Sequence, residues 1–122
     1  EDRMTTAYAM SPDGVEWDWH GTVLRPRPGT WDRRGARLTT VLPDGRAAYD
    51  GRASKEENWF ERTGLARLTG RRQGELEQAG TDAVSDVRYL DVLPLPGGGF
   101  RIWYEASLPD LTHELHTELI AP

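Results

Sequence analysis

An all-β fold built from antiparallel hairpins is what this chain predicts, and three observations predict it. Pro43-Asp44-Gly45 lies between the short β-prone runs 36–42 and 46–52, where Pro presets one turn angle and Gly accepts the positive one. Val15-Glu16-Trp17-Asp18-Trp19-His20 alternates apolar and polar side chains, the pattern of a half-buried strand. The third is an internal copy: Arg88-Tyr89-Leu90-Asp91-Val92-Leu93-Pro94 matches the stretch from Arg37 to Pro43 at a constant offset of 51 residues. Trp103-Tyr104-Glu105-Ala106-Ser107 then echoes Ala48-Tyr49-Asp50 and Ala53-Ser54. A period near 50 points to one repeated supersecondary unit, and a four-stranded propeller blade is the all-β unit of that size.

Taken in order, 5–10 reads as a short strand, Ser11-Pro12-Asp13-Gly14 as a turn, and 15–20 as a strand whose Val15, Trp17 and Trp19 share one face. Gly21-Thr22-Val23-Leu24 follows. Arg25-Pro26-Arg27-Pro28-Gly29 is a connector, since its prolines cannot donate to a central ladder. The central unit runs through the hairpin and the polar loop 53–58 to a third strand, 60–68, and a charged edge strand within 71–79. Segments 86–94, 100–106 and 111–120 form the last unit, with Pro94-Leu95-Pro96-Gly97-Gly98-Gly99 at its hairpin tip. Leu111, Leu115 and Leu119 are spaced as on a helix, but the same residues also alternate, and the repeat places a strand there. The pieces therefore sort into a half blade at 5–24, a full blade at 31–79 and a last blade at 86–120. That makes about two and a half four-stranded antiparallel blades in one domain, 1–122. A closed ring needs at least four blades, so further blades from the same protein or another chain are expected as partners.

The totals bound the function. With 122 residues, 37% hydrophobic and 29% charged, a single packed domain is possible. A net charge of −5 argues against nucleic acid as a partner, and no apolar run approaches membrane-spanning length. No signal-peptide pattern opens the chain, and the absence of cysteine leaves the compartment, cytoplasmic or secreted, undecided. Arginine outnumbers lysine 14 to 1, a bias of bacterial-like composition that makes guanidinium forks the main cations of any site.

Ser11-Pro12-Asp13-Gly14-Val15-Glu16-Trp17 resembles the Ser-x-Asp-Gly-x-x-Trp hairpin of the five-bladed β-propeller glycosidases, the arabinanase, β-xylosidase and fructosidase superfamily. Gly21-Thr22-Val23-Leu24 looks like their blade-closing Gly-x-Val-Leu, and Tyr49-Asp50-Gly51 and Trp103-Tyr104-Glu105-Ala106 like their second blade strands. The likeness spans 5–120 and implies the C-terminal portion of such a propeller. The family's catalytic carboxylates sit in blades that are absent or partial here, so the resemblance implies a carbohydrate-active portion that is not catalytic alone. The alternative is a non-catalytic carbohydrate- or protein-binding β module.

Strand direction places Trp31, Asp32, Arg34, Arg37, Asp50, Arg52, Asn58, Trp59, Glu61 and Arg62 around one rim, joined by Glu105, His113, Glu114 and His116. Carboxylates, guanidinium groups and Trp together suit a sugar, giving bidentate bonds to hydroxyls and aromatic faces for C–H surfaces. Asp50 and Glu61 are the candidate acid/base pair; the competing reading pairs them with Arg37, Arg52 or Arg62 to hold the blade together. Trp17, Trp19 and Trp103 are expected to pack between blades, whereas Trp31 and Trp59 flank the loops and are candidates for stacking on a ligand. His113-Glu114-Leu115-His116 lacks zinc-protease spacing, and strand alternation sends its two histidines to opposite faces, so neither a metal nor a cofactor is expected.

Overall fold

The computed structural model describes residues 3–122. The described residues fold into nine strands in three antiparallel sheets that follow one another along the sequence. β1 (Thr6–Met10) pairs with β2 (Asp18–Leu24) in the first sheet. β3 (Gly35–Val41), β4 (Arg46–Arg52), β5 (Arg62–Leu68) and β6 (Leu76–Gln78) form the second, in chain order. β7 (Arg88–Pro94), β8 (Phe100–Ser107) and β9 (His113–Ile120) form the third, again in chain order. The segment with both helical and alternating patterns is thus a strand, and the only helix among the described residues is the 3₁₀ turn Glu56–Trp59 within the polar loop.

Turn chemistry sets the two hairpins that carry the site. Gly45 N–H donates to Leu42 O and Leu42 N–H to Arg46 O, with Gly45 at a φ of +82°, which closes a three-residue loop with a left-handed last residue. The second hairpin repeats that closure: Gly98 N–H donates to Leu95 O and Leu95 N–H to Gly99 O, with Gly98 at +87°. Pro96, not Pro94, therefore takes the place of Pro43, and Pro94 is the last residue of β7. The edge strand expected within 71–79 is only three residues long, which limits the ladder it leaves open.

The strand expected at 15–20 is displaced. Asp13 Oδ1 accepts the N–H groups of Val15 and Glu16, at 2.9 and 3.0 Å, and keeps the backbone turning until Asp18. Trp17 and Trp19 are consequently 63% and 69% exposed, so neither packs between sheets as expected; Trp103 is half-buried.

The apolar core lies between the first two sheets. Leu24 of β2 meets Ala36, Ala47, Tyr49 and Ala66 of the second sheet and Leu76 of β6, with Trp31 and Leu38 against them. Alternation explains the choice, since the register Gly51–Arg62, Tyr49–Gly64 and Ala47–Ala66 puts the small residues on one face. Tyr49 fills the space this leaves. Its ring lies over Gly64, where a β-carbon would come within 2.4 Å of it. The opposite face of the second sheet carries Arg37, Asp50 and Thr63 toward the third sheet, and only β7 of that sheet approaches it closely.

Candidate functional site

Of the carboxylates and guanidinium groups predicted to share a rim, Arg37, Asp50, Arg52, Glu61 and Glu105 lie together, at the mouths of the two hairpins. Arg37 lies opposite Asp50 in the β3–β4 ladder, and Arg37 Nη2 donates to Asp50 Oδ2 at 2.9 Å. Arg88 lies opposite Glu105 in the β7–β8 ladder, and Arg88 Nε donates to Glu105 Oε2 at 3.0 Å. Glu61, just before β5, joins the two pairs: Arg88 Nη1 donates to its Oε2 at 3.1 Å, Arg52 Nη1 lies 3.7 Å from its Oε1, and Arg37 Nη2 lies 3.9 Å away. Asn58 reaches the same group by accepting a hydrogen bond from Arg52 Nη1.

Three guanidinium groups and three carboxylates thus form a seam between the second and third sheets. Asp50, Arg52, Glu61 and Arg88 are buried in it. Burial pushes the Asp50 carboxyl above the usual carboxylate range, against the downward pull of Arg37 and of the Tyr89 N–H, which donates to both oxygens at 3.2 Å. Tyr89 itself sits at a φ of +54°, where β7 slips register between Arg88 and Asp91. That left-handed backbone costs about 1 kcal/mol for a non-glycine residue. It is held by Asp50 on its N–H and by two cations on its ring, with Arg37 and Arg88 at 4.4 and 5.0 Å from the centroid.

Asp32 and Trp31 belong to a different group. Asp32 is fully buried and accepts from Tyr49 Oη at 2.7 Å, from Arg27 Nε at 3.0 Å and from the Thr30 hydroxyl. Desolvation and the Asp32 charge push the Tyr49 phenol above its ordinary range, so it stays a donor. Trp31 stacks on Tyr49 at 5.8 Å, with the Arg62 guanidinium 5.2 Å from its ring. The ring of Trp31 therefore packs inward, while Trp59 is 63% exposed with Arg88 5.8 Å from its ring.

An open cleft of about 870 Å³ lies beside the seam, between the start of β5, segment 85–87 and the end of β8. Glu57, Phe60, Arg62, Asp86 and Ser107 are in its walls; Asp50 and Glu61 are not. His113 stands next to it, with a ring nitrogen 3.0 Å from the Ser107 hydroxyl and its ring 6.5 Å from that of Phe60. His116 stacks on Tyr104 across the β8–β9 ladder, on the other face, and lies beside Glu114. Among the described residues no three potential metal ligands come together.

The predicted set is therefore divided. Arg37, Asp50, Arg52, Asn58 and Glu61 share the seam, Arg62 lines the open cleft, Trp31 and Asp32 brace the core, and Arg34 lies in a separate cleft. Sequence reasoning passed over Arg88 and Tyr89 as site residues, although Arg88 is the repeat counterpart of Arg37 and that match was the signal. Phe60 and Asp86 carried no signal of their own. No family model matches this chain, and neither the curated proteins nor the solved structures yield a match.

Proposed function

We propose that the chain is a propeller portion from a glycosidase-like protein, that it supplies part of a saccharide-binding surface, and that it does not hydrolyse substrate by itself. Three successive antiparallel sheets of two, four and three strands support the blade reading, because each meanders in chain order from a hairpin to its edge. The observation that carries the binding reading is the composition of the open cleft. Phe60 offers an apolar face for sugar C–H groups, while Arg62, Glu57, Asp86 and Ser107 offer the donors and acceptors that hydroxyls require. A general acid or base must reach the glycosidic oxygen or its attacking water. Asp50 and Glu61 are instead enclosed and already engaged by Arg37 and Arg88, which favours their role as a brace between sheets.

The test is a titration of the chain with neutral arabino-, xylo- and manno-oligosaccharides, followed by backbone amide NMR. Saturable shifts at Phe60, Arg62 and Ser107, lost in Phe60→Ala without loss of fold, are expected, with no reducing ends released. Hydrolysis that disappears in Asp50→Asn or Glu61→Gln folded variants would replace binding with catalysis. No saturable shift with any of the sugars would remove the saccharide reading.

A further inference from the structure

We propose that a second cleft, formed by Arg3, Arg33, Arg34 and Lys55, is an anion-binding site that takes the carboxylate or phosphate group of a small polar molecule. The cleft holds about 590 Å³ between the connector at 28–29, the start of β3 and segment 53–56 that follows β4. Among the described residues, four cations line it against one carboxylate, Glu56, in a chain whose net charge is −5. Elsewhere many of the cations are neutralised locally: Arg27 by Asp32, Arg46 by Asp44, and both Arg67 and Arg71 by Glu77. Among the described residues, none of Arg3, Arg33, Arg34 and Lys55 makes an ion pair.

Two details favour a ligand over a merely solvated patch. Arg34 Nε is shut off from solvent with no hydrogen-bond acceptor among the described residues, so this side chain is not already satisfied by the protein. Arg33 Nε donates to Ala53 O at 2.6 Å, which fixes the plane of its guanidinium against the loop that forms the other wall. Guanidinium forks match the paired oxygens of carboxylate and phosphate, and a preset plane loses less entropy on binding. Glu56 is the built-in counter-ion. Its own backbone N–H, the Ser54 hydroxyl and the charges of Arg34 and Lys55 hold its carboxyl below the ordinary range, so it stays ionised and competes with the ligand. The volume exceeds that of an inorganic ion and suits a sugar acid or a sugar phosphate. This site stands independently of the saccharide reading, because an anion alone tests it.

The experiment titrates the full chain at low ionic strength with inorganic phosphate, glucuronate, glucose 6-phosphate and glucose, following arginine Nε and backbone amide resonances. Saturable shifts of Arg33 Nε, Arg34 Nε and the 53–55 amides are expected with phosphate and not with glucose. Tighter binding of glucuronate assigns a carboxylate source, and tighter binding of glucose 6-phosphate a phosphate source. Arg34→Gln is expected to weaken binding about tenfold or more, as removal of a charge-assisted hydrogen bond does. Lys55→Gln, on an exposed residue that leaves the fold intact, is expected to weaken it about threefold, and Arg67→Gln not at all. Shifts that never saturate, that are equal at Arg67, or that survive both cleft substitutions would overturn the proposal.

Discussion

Glu61→Gln isolates the seam. The substitution keeps the volume and one acceptor but removes the carboxylate charge that Arg88 of β7 and Arg52 of the second sheet share. Glu61 and Arg52 are each 2% exposed at the side chain and Arg88 is 9%, so the lost charge leaves two enclosed guanidinium groups with less compensation than they have now. Breaking a buried pair from one side costs about 3–5 kcal/mol, because the partner's desolvation is no longer offset. The contact with Arg37, at 3.9 Å and 34% exposure, adds little. A change of that size lowers Tm by about 10–20 °C in a domain of this length. Glu105→Gln is the internal control: its side chain is 31% exposed, so its loss is expected to cost about 1–2 kcal/mol. Asp44→Asn, in a pair 65% and 52% exposed, should change stability least of the three. Urea unfolding at pH 7 measures all three. A cost for Glu61→Gln at or below that of Glu105→Gln would refute the view that Glu61 is the junction of the two sheets.

Three further outcomes follow from the same geometry. Gly64→Ala should displace the Tyr49 ring and its bond to Asp32, costing about 2–4 kcal/mol by thermal unfolding, since a β-carbon there sits 2.4 Å from the ring. Asp50 is raised by burial, so the folded chain binds its proton more tightly than the unfolded one. That contribution is complete below about pH 4. It is lost as pH rises through the raised folded value. Stability of the wild type relative to Asp50→Asn should therefore fall as pH is raised from 4 toward neutrality, and a flat difference would contradict it. Trp17→Ser should change stability by less than about 0.5 kcal/mol in a urea melt, because the side chain is largely in solvent.

What the sequence made legible was local chemistry. Pro43-Asp44-Gly45 encodes its own hairpin, and the repeat settles β9 against the helical spacing of Leu111, Leu115 and Leu119. The start of β2 was hidden because the alternation 15–20 is compatible with a strand; only the side-chain caps by Ser11 and Asp13 convert its first half into a turn. The arginine–carboxylate pairing was visible as one of two readings of the rim. Which carboxylates are enclosed and which face a cleft depends on how two sheets approach, and no spacing along the chain encodes that.

The repeat also explains why the seam converges on one residue. Arg88 follows Arg37 by 51 residues, Gly98 follows Gly45 by 53, and Glu105 follows Asp50 by 55, so the second hairpin is two residues longer on each arm. Its mouth is nonetheless closed by the same arginine–carboxylate pair, and the added length is taken up toward the tip. Glu61 stands two residues before Thr63, the partner of Asp50. The corresponding position in the third sheet, two residues before the Glu105 partner Leu115, is His113. An imidazole bonded to Ser107 offers no carboxylate oxygens to gather guanidinium groups as Glu61 does. The ionic junction is therefore specific to the boundary between the second and third sheets, and the ring that replaces it stands beside the open cleft with Phe60.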